Sequence, residues 1–393
     1  KTYARLLIKQ IATALGIFSA SIYQFYSAIG RGEIEPTFTV PAMNIRTITY
    51  DTARIVFRLA LEKQIGPFVF EISRGEMDYT DQRPDEYTTA VLAAAIKEGY
   101  KGPVFLQADH SQFSIQRYQE DPEGERGRLM KLIDEVIAGQ FYNIDIDAST
   151  LVDLSKENLD EQQKANYENT AALTKYIREK QPENITISVG GEIGHIGERN
   201  STVADFEAFM SGFLKLVDQL TGISKVSVQT GTSHGGIPLP DGTMADVTVD
   251  FTVLKSISEI AREKFHIGGA VQHGASTLPN DLFDKFPQNK TLEIHLATGF
   301  QNIVYENMPQ TLREEIYAWI ETNLQKENQE GWTKEQFMYK ARKKALGTFK
   351  KQLWELSDTD KQPILDVLET SLRSHFEKLG TFGTRNILDQ IYP

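Results

Sequence analysis

Val104-Phe-Leu-Gln-Ala-Asp109-His110 is the stretch on which the fold turns. An apolar run of strand length ends abruptly in a carboxylate and an imidazole, groups that are costly to bury unless paired or used. The same design recurs along the chain. Lys225-Val-Ser-Val leads through a short turn to Ser233-His234-Gly-Gly, and Ile267-Gly-Gly-Ala-Val-Gln leads to His273-Gly-Ala-Ser. Ile185-Thr-Ile-Ser-Val-Gly-Gly ends in Glu192. With only 7 histidines in the chain, three of them at strand ends is not a chance pattern.

Working outward, eight short β-branched or aromatic runs begin near Phe38, Phe68, Val104, Tyr142, Ile185, Lys225, His266 and Leu292. Longer amphipathic stretches separate them, among them Asp51 to Lys63 and Gly127 to Gly139. Eight strands alternating with helices is the count of a (β/α)8 TIM barrel, an α/β fold. Periodicity alone does not exclude an open, doubly wound sheet. The reading is one barrel domain spanning 1-393, with an N-terminal helical extension over 1-36 and a C-terminal helical extension over 306-393. Gln119 to Arg126 and Ser155 to Lys164 read as polar loops, and Asp358 to Pro363 as a turn before another helix.

Composition narrows the function. At 393 residues with a formal net charge of -12, the chain lacks the basic face that nucleic acid requires. An acidic protein can still hold a phosphate through local cations and backbone N–H groups. The absence of cysteine excludes disulfides and thiolate metal sites and agrees with a reducing cytoplasm. Ile11 to Gly30 is uncharged and about as long as a membrane span, but Thr13, Ser19, Ser21, Gln24 and Ser27 dilute it. It reads as a packing helix, so no membrane is expected.

In a barrel of this kind the working groups stand at the carboxyl ends of the strands. Asn44, Ser73, Asp109 with His110, Asp147, Glu192, His234, His273 and His295 all fall at or just after a predicted strand end. Turns are polar for their own reasons, so one Asp or Ser there says little. Three imidazoles and a carboxylate say more. They are what a catalytic metal needs, with one position left open for substrate. Glycines and small residues follow His234 and His273, where bare backbone could approach an anion. His195 and His375 read as structural or solvated.

Gln107-Ala-Asp-His110, Glu192-Ile-Gly-His-Ile-Gly, Ser233-His-Gly-Gly and His273-Gly-Ala-Ser resemble the metal motifs of the class II, metal-dependent ketose-bisphosphate aldolases, of fructose-bisphosphate aldolase type. Val40-Pro-Ala-Met-Asn44 and Glu71-Ile-Ser-Arg-Gly75 fit that family's first strands, and the match runs in order from about Thr37 to Gln301. The resemblance implies a lyase of carbohydrate metabolism. It would split a ketose 1,6-bisphosphate into dihydroxyacetone phosphate and glyceraldehyde 3-phosphate through a metal-stabilised enediolate. His110, His234, His273 and Glu192 would bind zinc (Zn2+) or another divalent metal, and a monovalent cation could assist phosphate binding. Asp109 would exchange the proton at the breaking bond and Glu198 the proton at the triose carbon. Gly235, Gly236, Gly274, Ser276 and Thr298 would hold one phosphate, while Asn44, Ser73 and His295 would contact the sugar. Gln107 and Asp147 would support the ligands from behind. A homodimer or larger homo-oligomer is usual in the family.

The pattern is not matched throughout. Gln107 stands where the family motif has its first histidine, and His295-Leu-Ala-Thr298 replaces Asn-x-Asp-Thr, so Ala297 removes a carboxylate. A basic residue expected after the His-Gly pair is missing, because the chain continues Ile237-Pro-Leu-Pro. Glu198 also lies nearer Glu192 than the family's loop glutamates do. Arg342, Lys343 and Lys344 could reach a second phosphate, but they read better as a solvated helix face. Two other readings follow: a metal-dependent sugar or sugar-acid epimerase on the same barrel, and a non-catalytic aldolase-like subunit. The last should have lost its metal ligands, yet all four candidates are present.

Overall fold

Nine parallel strands organise the computed structural model, which describes residues 2–194, 199–231 and 248–393. They are β1 (Ile17–Ala20), β2 (Val40–Asn44), β3 (Val69–Ser73), β4 (Gly102–Gln112), β5 (Asn143–Asp147), β6 (Ser188–Glu192), β7 (Lys225–Val228), β8 (Ala270–Gln272) and β9 (Glu293–Leu296). β2 through β9 pair in sequence order, and β9 returns to pair with β2, which closes an eight-stranded parallel barrel. The eight predicted runs are these eight strands. Closure excludes the open sheet that periodicity alone had allowed.

The ninth strand corrects the reading of the N-terminal segment. Instead of one helix, residues 11–30 hold the end of α1 (Thr2–Ala14), then β1, then α2 (Tyr23–Gly30). Gly16, at φ +78°, makes the break that an L side chain would resist. β4 is 11 residues long and outruns its neighbours. β1 pairs with its lower half, Ile17 opposite Gly102 through Ala20 opposite Phe105, and β5 takes the upper half from Gln107 onward. Among the described residues, no helix is long and apolar enough to cross a membrane.

α2 seals the lower mouth of the barrel. Phe25, Tyr26, Ala28 and Ile29 are fully buried there against Val40, Val69, Phe105 and Leu292, near the amino ends of four strands. Each large apolar side chain in that seal contributes about 1.5–3 kcal/mol of burial. α1 lies outside, held to the helix Pro84–Glu98 by Arg5 and Lys9, whose side chains reach Asp85 at 3.1 and 2.6 Å.

Helices surround the barrel, and three expected boundaries shift. The stretch 119–126 contains the start of a helix, Pro122–Ala138, capped by Asp121. The stretch 155–164 contains the start of Leu159–Lys180, capped by Asn158. Asp358–Lys378 is one helix that runs through Pro363, with Ser357 as its cap. Its Ile364, Leu368, Leu372 and Phe376 are buried, and it packs on α3 (Thr49–Lys63) and on the helix Thr298–Asn307.

Candidate active site

Between the pairings Ala108–Ile144 and Ser111–Ile146, β4 carries one residue more than β5. Such a bulge re-aims side chains that strict alternation would send to opposite faces. His110 takes up the extra length at φ +43°, a left-handed conformation in which histidine is uncommon but tolerated. Asp109 and His110, adjacent in sequence, therefore both line one cavity at the carboxyl ends of the strands.

Glu192 ends β6 and His273 follows β8 directly. With His110 they can each offer one ligand atom, all within 4.8 Å of one another. His110 Nε2 and His273 Nδ1 lie 2.7 Å apart. Asp147 Oδ2 sits 3.1 Å from His110 Nδ1, and Ser227 Oγ sits 3.0 Å from His273 Nε2. Glu192 Oε2 lies 3.5 Å from His110 Nδ1, on the same side of the ring as Asp147; two imidazoles and a carboxylate this close are a donor set suited to a divalent metal. The residues present fit the metal that the sequence implies. His234, Glu198, Gly235 and Gly236 lie outside the described residues.

The charges in this corner are strongly coupled. Burial pushes the Glu192 carboxyl up to about 7, with Asp147 adding to the rise and His110 opposing it. Burial works against charge on His110, but Asp109 and Glu192 hold it well above the usual imidazole range. Asp109 also resists burial as an anion, yet His110 and His295 draw it well below the usual carboxylate range. Asp109 therefore stands ionised beside these imidazoles.

Asn44, Ser73, Gly274, Ser276, His295 and Thr298 all line the same cavity, whose volume is about 460 Å³. That is room for a small ligand. Ser73 caps α4 (Arg74–Tyr79) in a reciprocal box with Glu76, and Asn44 donates to the same Glu76 carboxylate. Ser276 Oγ accepts from the Ala297 N–H at 2.8 Å and so fixes the start of the helix Thr298–Asn307. A Cβ on Gly299 would lie 2.6 Å from the Ser276 carbonyl oxygen, so only glycine allows this approach. Gln107 is fully buried beneath the cavity, where it donates to Glu71 and Glu293 at 3.0 and 3.1 Å.

Sequence reasoning missed Arg46 and Glu76. Arg46 pairs with Glu76 at 2.7 Å and donates to Gln301 at 3.0 Å and to Thr298 Oγ1 at 3.3 Å. The Ser73-Arg-Gly-Glu76 capping box was a signal that could have found Glu76. The basic patch also needs correction. Lys343 lines the cavity of its own chain, with Nζ 5.9 Å from the Tyr79 ring centre. Desolvation lowers its pKa, and nearby Arg46 adds to the effect. Arg342 is instead buried between Tyr305 and Tyr339, and Lys344 pairs with Glu327. Among the described residues, no carboxylate pairs with Lys343 or with Arg74, which lines the cavity beside it.

A closed parallel barrel with imidazoles, carboxylates and one polar cavity at the strand carboxyl ends has the layout of a (β/α)8-barrel enzyme site. The family model described as "Fructose-bisphosphate aldolase class-II" matches residues 34–361, and the chain belongs to that family. No curated protein matches the sequence. Among solved structures it is similar to a fructose-bisphosphate aldolase from Campylobacter jejuni, with 16% identity, 93% of this chain and 96% of that chain covered, and a TM-score of 0.54. The YdjI aldolase from Escherichia coli K12 gives 13% identity, coverage of 94% and 100%, and a TM-score of 0.53. A protein described as a probable tagatose 6 phosphate kinase from Sinorhizobium meliloti 1021 gives 12%, 86% and 100%, and 0.62. At these identities the structures speak for the fold alone.

Proposed function

We propose that this chain is a zinc-dependent aldolase that reversibly cleaves a ketose 1,6-bisphosphate, with fructose 1,6-bisphosphate as substrate, into dihydroxyacetone phosphate and glyceraldehyde 3-phosphate. One observation carries the reading: His110 and His273, with Glu192 in ligand reach of both, stand beside Asp109 at a cavity that also presents Arg74 and Lys343, cations that no carboxylate among the described residues pairs. His110, His273 and Glu192, with His234, would hold the metal. When bound, it supplies a positive charge that polarises the ketose carbonyl and stabilises the negative charge developing on the substrate oxygens.

The chain's own residues supply the rest. Asp109 takes the proton from the hydroxyl at the carbon–carbon bond that breaks, and returns it in synthesis. Glu198 moves the proton at the triose carbon. Gly274, Ser276 and the N–H groups at the start of the helix Thr298–Asn307 receive one phosphate. Arg74 and Lys343 stand ready for the other. Asn44, fixed by Glu76, and His295 orient the sugar between them.

Fructose 1,6-bisphosphate cleavage followed by a coupled triose-phosphate assay tests this reading. Activity should disappear on chelation and return with zinc. Lys343→Ala should raise KM about tenfold or more and leave kcat within a few-fold, as expected when a contact common to ground and transition states is removed. Ala297 lines the cavity where the family pattern has a carboxylate, an observation that favours an epimerase of unphosphorylated sugars as second reading. Zinc-loaded protein without cleavage activity would direct the search there.

A further inference from the structure

Beneath the candidate metal ligands the barrel interior is not apolar. Lys225 on β7 points inward with a side chain 1% exposed. Its ammonium donates to Gln107 Oε1 at 2.7 Å, to Asp145 Oδ2 at 2.9 Å and to Glu293 Oε1 at 2.5 Å. Three acceptors satisfy its three N–H bonds. Burial alone would strip the proton from such a lysine, but Asp145 and Glu293 hold it charged, well above the usual range. β6 makes room for the pair: a Cβ on Gly190 would lie 2.3 Å from Asp145 Oδ1 and 3.0 Å from Lys225 Cε.

Glu293 is where the contacts meet. Its Oε1 lies 2.6 Å from His295 Nε2, and its Oε2 accepts from the Tyr26 hydroxyl of α2. On the far side of that imidazole, Nδ1 lies 3.0 Å from Glu71 Oε2 and 3.3 Å from Asp109 Oδ1. The His295 ring stacks on His273 with centres 4.1 Å apart. Polar contacts thus run from Lys225 through Glu293 to His295, whose Nδ1 faces Asp109 as a charge neighbour and not as a hydrogen-bond partner.

We propose that Lys225 is a positioning residue whose ammonium serves as a built-in cation of the barrel floor, fixing Glu293 and Gln107 and, through them, setting His295 against Asp109 and His273. It is not a nucleophile, because its Nζ is enclosed by three acceptors and lies beneath the cavity. The three oxygens around Nζ form a cation site by their chemistry. With the lysine side chain cut back, the same oxygens should bind a small alkylammonium ion. The effect on turnover rests on the aldolase reading; the cation site does not.

The test compares zinc-loaded Lys225→Ala and Lys225→Met, the second uncharged but nearly as long. Both should lose turnover on the order of tenfold to a hundredfold, as when a ligand's outer support is removed. Methylammonium should restore the alanine variant saturably and leave the methionine variant unchanged, whereas a merely structural lysine would show no such rescue. Calorimetry on metal-free protein should find methylammonium binding to Lys225→Ala and not to the parent chain. Full turnover by Lys225→Met would overturn the positioning role, and so would methylammonium binding to Lys225→Ala without recovery of turnover. A folded alanine variant that binds no methylammonium would overturn the cation site. If the alanine variant folds only in methylammonium, the cation site stands and the methionine variant decides the positioning role. If the parent chain cleaves no ketose bisphosphate, the calorimetric comparison still decides the cation site.

Discussion

His110 adopts a positive φ that places it beside Asp109 instead of on the opposite face of β4. Strain of this sort costs about 1–3 kcal/mol and persists where surrounding contacts enforce it. Here Asp147 and His273 on either side of the ring do so. Metal holding by His273 and proton transfer by Asp109 are separate duties, which makes them separable by substitution. His273→Ala should lose bound metal and activity together. Asp109→Asn should keep the metal, measured by elemental analysis, while turnover falls on the order of 10²–10⁴-fold. Retention of metal and turnover in His273→Ala would remove the metal assignment. At this scale His110, Glu192, His273 and Asp109 were legible, because an acid or imidazole ending an apolar run needs a reason to be there. Lys225 was not, since Lys-Val-Ser-Val reads equally well with the lysine facing solvent. Lys343 was missed because a basic stretch looks the same whether it borders water or a cavity.

Elements were legible where local chemistry declared them. All eight barrel strands stood out by composition, and the capped helices could have done so more fully. Asp121-Pro122 is a helix start by its own signature, a capping acid followed by proline at the first position. β1 had no such mark, because it exists only by pairing with residues more than 80 positions away on β4. The helix Asp358–Lys378 gives a prediction that belongs to its scale. His375 packs against Phe283 with ring centres 4.5 Å apart, and burial pushes its pKa down to about 4. A depressed histidine contributes stability that is fully present above its unfolded pKa of about 6.5 and is lost as pH falls through the folded value. Urea unfolding of the parent chain should therefore show a loss approaching roughly 3 kcal/mol from this group between pH 6.5 and 4. His375→Gln should lose less over the same window. An identical acid slope in both proteins would remove His375 as the cause.

Across the whole molecule, the eight-strand count declared the barrel, while the way its lower mouth is closed was hidden in contacts between distant segments. The C-terminal helix Arg385–Ile391 buries Leu388 in the same apolar cluster as α2. Tyr392 meets Phe105 with ring centres 5.4 Å apart and donates its hydroxyl to the Ser21 carbonyl at 2.6 Å. Deleting residues 385–393 should cost on the order of 3 kcal/mol or more, read as a lower urea midpoint, because a large buried side chain is lost and its neighbours are left facing water. An unchanged midpoint would show that α2 holds its place without this segment.

That seal also bears on the order in which the chain can be made. Tyr392 and Ser21 are separated by 371 positions. During synthesis the apolar face of α2 and the lower edge of β4 emerge long before the residues that lock them. Contacts this remote in sequence form late, and the surfaces awaiting them can associate with other chains in the meantime. A chain interrupted before Arg385 would hold a barrel with its eight strands complete and its underside still adhesive.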